Sequence, residues 1–160
     1  MISTQEFIEV TKDQDVLKAF GPQHLERLAE LAEEVEFHRD QIIFREGDRH
    51  GLFYLILDGG VGLEIMTARH AVTLQTLHAG DAMAWSSLLN ESGGAHFQAR
   101  ALTPTRALAF DGAKLRQTCD ADPAFGYRMM RALLSLVTER LDVTRMQLLD
   151  MYATPGAMRA

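Results

Sequence analysis

Cysteine is nearly absent from this chain, since Cys119 is the only one among 160 residues. A single thiol excludes an intramolecular disulfide and an iron–sulfur cluster held by several cysteines, and it fits a reducing cytoplasm. Asp120 rather than a cation follows Cys119, so we expect a partly buried and unreactive thiol.

Long apolar runs and an excess of basic residues are also missing. No stretch approaches the 18 or more apolar residues that span a bilayer, and the first five residues lack the features of a signal peptide. The formal net charge is −6, so the chain as a whole does not attract nucleic acid or an anionic membrane. We therefore expect a cytoplasmic protein that binds neither nucleic acid directly nor a membrane.

Signals of metal centres and of enzymes are scarce. The six histidines include no close pair at metal-ligand spacing, which predicts that the chain holds no metal. A haem bound through one of them is favoured still less. Ser86 and Ser87 lie in no nucleophile motif such as G-x-S-x-G, and no paired carboxylates occur in a cleft-like segment. The sequence predicts a protein that is not an enzyme.

The spacing of apolar residues changes along the chain from a helical period to a strand period. Short helices are predicted at 14–20 and from Pro22 to about residue 34. Closely spaced strands follow, separated by glycine-containing turns, which is typical of a barrel or roll. The strands are predicted at 35–39, 41–45, 52–57, 61–66, 72–77, 96–102 and 106–110, with a small helix at 86–89.

The last third of the chain is predicted to be helical, from a cap at Asp120 or Asp122 to about Tyr152. Residues spaced alternately by three and four form a coiled-coil seam: Tyr127, Met130, Leu134, Val137, Leu141, Thr144, Leu148 and Met151. A second apolar stripe consists of Met129, Leu133 and Leu136. The seam is longer than a small roll can cover, which favours a homodimer through this helix over one broad face packed on its own domain.

These elements divide the chain into a helical segment (1–34), a ligand-binding-like β-roll (35–112), C-terminal helices with the dimer seam (113–152) and a tail (153–160). The apolar fraction of 47% suffices for one ordinary core, so a second independent domain is not expected. The predicted fold class is mainly β with flanking helices. It is a double-stranded β-helix, or jelly roll, with N-terminal helices and a long C-terminal dimerisation helix.

Four segments carry a resemblance to a known family: 42–48 (IIFREGD), 53–61 (FYLILDGGV), 77–81 (LHAGD), and Arg100-Ala101 before 107–110 (ALAF). In order and spacing they resemble the cyclic-nucleotide-binding domain family, the sensory β-roll of Crp/Fnr regulators and of cyclic-nucleotide-gated proteins. The resemblance covers about residues 23–150. Full regulators carry a helix-turn-helix domain after the long helix, and this chain stops soon after it. We therefore expect no DNA-binding domain and no direct DNA binding.

The resemblance implies a phosphate-binding cassette around the small helix, at residues 80–89. In members that bind cyclic AMP, a Gly-Glu pair holds the ribose and an Arg-Ser or Arg-Thr pair holds the phosphate. Here the two pairs read Ala84-Trp85 and Ala95-His96. At roughly 1.5–3 kcal/mol for each lost charge-assisted hydrogen bond, ordinary cyclic-nucleotide binding weakens by about two to four orders of magnitude. We expect altered ligand specificity.

The replacing residues offer contacts of their own. Trp85 can stack on a flat ring, Ser86 and Ser87 can donate hydrogen bonds to an anion at the helix start, and His96 can donate or take up a proton. These contacts predict a nucleotide or another anionic small molecule as ligand, of unknown identity. The alternative is that Trp85 and Phe97 fill the space of a nucleotide and the pocket is purely structural.

The resemblance also places Arg140 and Thr144 of the long helix beside the ligand base and the dimer seam. Thr144 is the one polar residue within the seam, so the alternative is a polar residue that sets the register of a coiled coil. The candidate ligand-binding residues are therefore Ala84, Trp85, Ser86, Ser87, Ala95, His96, Phe97, Arg140 and Thr144.

Three functional hypotheses remain open. The first is a dimeric, non-enzymatic regulatory subunit in which ligand tightens the packing of the helix on the roll. The second is a structural accessory subunit that docks as a dimer onto a larger complex, similar to the accessory subunit of soluble NAD-reducing hydrogenases. The third is a decayed sensor with neither ligand nor partner.

Overall fold

A computed structural model describes residues 2–89 and 94–153 of the chain. Its N-terminal part consists of α1 (Thr4–Thr11), a 3-10 turn (Asp15–Leu17) and α2 (Pro22–Leu31). The Ser3 hydroxyl accepts a hydrogen bond from the Glu6 N–H over 3.2 Å and so caps α1, and Pro22 occupies the first turn of α2. The sequence prediction missed α1, and it extended α2 by three residues that pair as a strand instead.

Eight strands form two antiparallel four-stranded sheets. They are β1 (Ala32–Phe37), β2 (Ile42–Phe44), β3 (Leu52–Asp58), β4 (Gly60–Met66), β5 (Ala71–His78), β6 (Ala82–Met83), β7 (Gln98–Ala101) and β8 (Thr105–Asp111). One sheet has the order β1-β8-β3-β6 and the other the order β2-β7-β4-β5. Most neighbours within a sheet are distant in sequence, which is the arrangement of a roll closed by crossing connections. The predicted mainly-β roll is therefore confirmed.

Strand β3 shows why the roll has two apolar layers. Phe53 and Leu55 face one way, into a cluster shared with the N-terminal helices and the C-terminal helix. Tyr54 and Ile56 face the other way, into a cluster between the two sheets. All four side chains are at most 6% exposed, so this strand is buried on both faces. Alternation along the strand thus joins the helical layer to the interior of the roll.

The C-terminal part is helical, as predicted, but it is divided in two. After the small helix α3 (Ser86–Leu89) and the last strand come α4 (Gly112–Ala121) and α5 (Pro123–Ala153). Asp122 separates the two long helices and caps the second, because its Oδ1 accepts hydrogen bonds from the Ala124 and Phe125 N–H groups at 3.1 Å each. Ala153, predicted in the tail, ends α5, and the rest of that tail lies outside the described residues.

Helix α5 has one buried stripe and one exposed stripe. Met129, Leu133 and Leu136 are at most 8% exposed and pack against the helical layer of the core. The apolar residues of the predicted seam are exposed in a single chain: Tyr127, Met130, Leu134, Val137, Leu141, Leu148 and Met151. The homodimer through this seam stays a prediction. None of the helices within 2–89 and 94–153 is both long and apolar enough to cross a bilayer.

Candidate functional site

The predicted cassette lies at one end of the roll, where β6 turns into α3. Ala84 stands at this turn with a φ of 61°, a left-handed conformation that residues with a Cβ rarely adopt. It occupies the position where the resemblance places a glycine. The cassette backbone therefore keeps a shape that suits glycine, at a strain of about 1–2 kcal/mol.

Seven of the nine predicted site residues line one pocket beside this turn: Ala84, Trp85, Ser86, Ala95, His96, Phe97 and Arg140. Three side chains from the roll complete its wall, namely Phe44, Leu63 and Met83. The sequence analysis did not select these three, since strand periodicity marks them only as core residues. The structure thus brings together segments that lie more than fifty residues apart in the chain.

Arg140 closes this pocket from α5. Its guanidinium carbon lies 4.0 Å from the centre of the Trp85 ring, in cation–π geometry. The Arg140 Nη2 also donates a hydrogen bond of 2.5 Å to the Ala82 carbonyl oxygen, just before the cassette turn. With the pair in place, the open space of the pocket is about 60 Å³. That volume holds a few water molecules, whereas small-molecule sites measure roughly 300–1,000 Å³.

The electrostatics of the pocket are set by this one guanidinium. Burial lowers the pKa of Arg140 to about 10, and the nearby Asp81 carboxylate opposes the shift. Arg140 is therefore still a cation at neutral pH. Within the described residues it forms no salt bridge, and no carboxylate lines the pocket. An anion in this place would add a direct ion pair to the longer-range interaction of Arg140 with Asp81.

Ser87 does not face the pocket that contains Trp85 and Arg140, which we refer to as the Trp85–Arg140 pocket. It lines a neighbouring pocket of about 170 Å³ on the α4 side of α3, together with His50 and Arg116. The Ser87 hydroxyl is buried and has no hydrogen-bond partner among the described residues, and the Ser87 carbonyl oxygen accepts a hydrogen bond from the Arg116 guanidinium. The two pockets share Ala84 and Ser86 at the start of α3, so the predicted residues surround this small helix from both sides.

Thr144 lies one turn beyond Arg140 on α5 and is exposed. Its hydroxyl donates a hydrogen bond of 2.9 Å to the Arg140 carbonyl oxygen. A single chain therefore does not bring Thr144 to the pocket.

His50 and Cys119 are among the groups whose pKa values are shifted outside the Trp85–Arg140 pocket. Burial lowers the pKa of His50, although Asp48 opposes the shift, and burial raises the pKa of the Cys119 thiol, with Asp120 adding to the increase. The Cys119 thiol is thus protonated at neutral pH. In the described part of the chain, no group of three or more His, Cys, Asp or Glu side chains is placed to hold a metal ion.

A model of the cyclic nucleotide-binding domain family matches residues 34–122. This chain belongs to that family. The match spans every strand from β2 to β8, the cassette and α4. The resemblance to the Crp/Fnr sensory β-roll is thereby confirmed, and the described residues form one such domain. Domains of this family are generally regulatory rather than catalytic.

Solved structures show the same fold. A protein from Geobacter metallireducens GS-15, assigned as a cyclic nucleotide-binding protein, is 27% identical with a TM-score of 0.75, over 88% of this chain and 99% of that one. A cyclic nucleotide-binding domain from Methylobacillus flagellatus KT is 21% identical with a TM-score of 0.78, over 98% and 86%. The sensor domain of the transcriptional regulator DNR from Pseudomonas aeruginosa is 21% identical with a TM-score of 0.66, over 96% and 97%. No curated protein sequence matches the chain.

Proposed function

We propose that this chain is a non-enzymatic regulatory domain that binds an anionic small molecule with a planar ring in the Trp85–Arg140 pocket. The observation that carries the proposal is the partly buried Arg140 guanidinium, which lies on the Trp85 ring and forms no salt bridge with any described carboxylate. The ring offers a stacking surface, and the guanidinium offers a charge-assisted donor. Trp85 belongs to the segment that the resemblance identifies as the cassette, and Arg140 contacts it from α5.

The ligand differs from cyclic AMP in how it is held. The cassette lacks the carboxylate and the guanidinium of cyclic AMP binders, because Ala84-Trp85 and Ala95-His96 replace those pairs. Among the residues that the structure describes, no carboxylate lines the pocket to hold a ribose, and Arg140 is the one guanidinium that lines it. The selectivity therefore depends on Trp85, Arg140 and the exposed His96 at the rim.

Binding in this pocket acts on α5. The pocket has space for a few waters only, so a nucleotide-sized ligand must displace the Arg140 side chain from Trp85. Arg140 belongs to α5, whose exposed stripe is the predicted dimer contact. A ligand that binds more tightly to one position of α5 increases the population of that position. It thereby changes the surface of α5 that is available to a partner.

The test is thermal unfolding of the full chain against cyclic nucleotides, NAD(P) species and simple anions, with Trp85 fluorescence followed in parallel. A ligand at about one hundred times its Kd adds about 2.7 kcal/mol and raises Tm by several degrees. We expect such a rise with one compound and its loss in Arg140→Ala and Trp85→Ala. Arg145→Ala, an exposed arginine of the same helix, is the matched control and should keep the response. If no compound raises Tm, ligand binding is rejected.

A second candidate function is supported by the exposed stripe of α5 and the closed pocket. In this proposal the chain is a structural subunit that docks as a homodimer onto a larger complex, such as a soluble NAD-reducing hydrogenase, and its pocket stays filled. It predicts stable co-purification with that complex and no change of Tm with any compound of the panel. Both candidates place the protein in the cytoplasm, without direct contact with nucleic acid or membrane.

A further inference from the structure

A second groove, separate from the Trp85–Arg140 pocket, lies between the 3-10 turn, the β5–β6 turn and α5. Its open volume is about 660 Å³, which is the size of a small-molecule site. Of the described side chains that line it, four are carboxylates and none is basic: Asp13, Asp15, Asp81 and Glu139. We refer to this groove as the acidic groove.

Two of the four carboxylates form no direct ion pair or hydrogen bond within 2–89 and 94–153, although Asp13 interacts with Lys12 and Lys18 at longer range. Asp15 pairs with Lys18, and Asp81 accepts a hydrogen bond of 2.8 Å from the His78 N–H. Asp13 and Glu139 are exposed, and neither forms an ion pair or a hydrogen bond with any residue within 2–89 and 94–153. They come from two different parts of the chain, the N-terminal segment and α5.

Gln14 is an independent sign that a ligand belongs in the acidic groove. The residue is only 6% exposed and lines the groove, and its Oε1 is buried without a hydrogen-bond donor. This oxygen lies next to Gly80, 3.4 Å from where a Cβ of that glycine would be. Buried acceptors are almost always satisfied, so this one calls for a donor from outside the described residues.

The remaining surface of the groove is apolar. Val16, Leu57 and Leu136 contribute aliphatic side chains to its lining. The groove therefore combines negative charge from two parts of the chain with an apolar surface and an unsatisfied acceptor. A metal ion does not match this arrangement, since no group of three ligating side chains converges in the described chain. A flexible organic cation does, because its methylene groups can cover the aliphatic surface while its ends remain charged.

We propose that the acidic groove binds an aliphatic polyamine, with ammonium groups at Asp13 and Glu139 and an N–H donor at Gln14. The site is distinct from the anion pocket proposed above and does not depend on it. It joins the N-terminal segment to α5 through the ligand, since these two parts supply the unpaired carboxylates.

The experiment is calorimetric titration of the full chain with spermidine at low ionic strength. The double variant Asp13→Asn/Glu139→Gln should weaken the Kd by about tenfold, the effect of losing two partly exposed ion pairs. Glu26→Gln/Glu33→Gln is the matched control, because it removes two exposed carboxylates outside the groove and changes the net charge equally. Its Kd should stay close to that of the unmodified chain.

The variant Gln14→Met tests the contribution of the Gln14 oxygen to binding separately from that of the carboxylates. It keeps the length of the side chain and removes the unsatisfied oxygen, so spermidine binding should weaken several-fold while Tm does not fall. The proposal is overturned if spermidine gives no saturable heat, or if the two double variants bind it equally. It is also overturned if MgCl₂ at matched ionic strength abolishes the binding, because the attraction would then be general rather than site-specific.

Discussion

Gln98 and Glu64 lie opposite each other on β7 and β4, and the Gln98 Nε2 donates a hydrogen bond of 2.8 Å to the Glu64 carboxylate. Both residues are at most 5% exposed. The Arg100 Nε lies 3.2 Å from the same carboxylate, and the Arg45 guanidinium donates to the Gln98 Oε1 over 3.3 Å. A buried carboxylate on β4 is thus held by two donors from β7, and Arg45, just after β2, extends this chain of hydrogen bonds.

Removing the carboxylate should be far more damaging than removing an exposed one. Glu64→Ala leaves the Gln98 amide unsatisfied and Arg100 without its countercharge, so we expect a loss of about 3 kcal/mol in the free energy of unfolding. Glu36→Ala, an exposed glutamate on β1, should change it by less than about 0.5 kcal/mol. Urea denaturation of both variants measures the difference. Equal effects would show that the cluster contributes nothing specific to stability.

The hairpin between β3 and β4 depends on Gly59. Its φ is 94°, and a Cβ at this position would lie 2.5 Å from the Pro104 carbonyl oxygen. Gly59→Ala therefore combines backbone strain with a clash against backbone, and we expect a loss of about 3 kcal/mol or more. Gly47 has a similar φ of 85° but open space around it, so Gly47→Ala should cost only about 1 kcal/mol. Urea denaturation of the two variants measures their free energies of unfolding. The difference separates the cost of backbone strain alone from the cost of strain combined with a steric clash.

His50 makes stability depend on pH. Its ring stacks on Phe44 at 4.7 Å between centroids, and its Nδ1 accepts a hydrogen bond of 3.1 Å from the Leu52 N–H, so protonation of Nδ1 breaks that bond. Because the pKa of His50 in the folded state is below 6.5, the unfolded chain binds more protons just below that pH. This contribution to stability is complete above the unfolded pKa and is lost as pH falls through the folded pKa.

The check is Tm measured at about pH 7.5 and about pH 5.5, on either side of the unfolded histidine pKa. His50→Asn keeps an acceptor for the Leu52 N–H but cannot titrate, so its Tm should fall less than that of the unmodified chain. His70→Asn, which changes an exposed imidazole, should keep the full fall. An identical fall in His50→Asn would refute the assignment to His50.

The contact of Arg140 with Trp85 should be visible without any ligand. Arg140→Ala removes the cation–π contact and the hydrogen bond to Ala82, and it also removes the cost of burying a charge. We expect a net loss of about 1–2 kcal/mol and a red shift of the fluorescence, as water reaches the ring of the only tryptophan. Arg145→Ala should leave the emission maximum unchanged, because Arg145 pairs with Asp142 away from the ring. An unshifted maximum in Arg140→Ala would mean that the ring stays covered.

The strands were predictable where apolar residues follow the backbone period. The predictions at 52–57, 61–66 and 72–77 agree with β3, β4 and β5 within one residue at each end, and glycine-containing turns bound these segments on every side except between β4 and β5. The two-residue strand β6 gave no such signal, since two residues make no period. The start of α5 agrees with the prediction, because Asp122 and Pro123 fit a helix cap and a first helical turn, whereas the bounds of α4 were not predicted.

Residues of the candidate site were predictable only where the resemblance assigned a role to a position in this sequence. The resemblance predicted the Ala84-Trp85 and Ala95-His96 pairs and Arg140 as site residues, but it did not predict the contact between Arg140 and Trp85. That contact depends on how α5 packs against the roll, which is a property of the folded chain. Ser87 was misplaced for a local reason: successive residues of a helix point about 100° apart, so Ser87 faces α4 while Ser86 borders both pockets.

The last prediction concerns the exposed stripe of α5. If this stripe is a dimer seam, Leu134→Glu places a charge in the middle of an apolar contact and should convert a dimer into a monomer. The fold should be kept, because Leu134 is 66% exposed in the single chain. Val143→Glu is the matched control, since Val143 is also an exposed apolar residue of α5 but lies outside the seam. Light scattering after size exclusion measures the mass, and circular dichroism checks that both variants stay folded. An unmodified chain that runs as a monomer at all concentrations would contradict the seam, and so would a Leu134→Glu variant that remains a dimer.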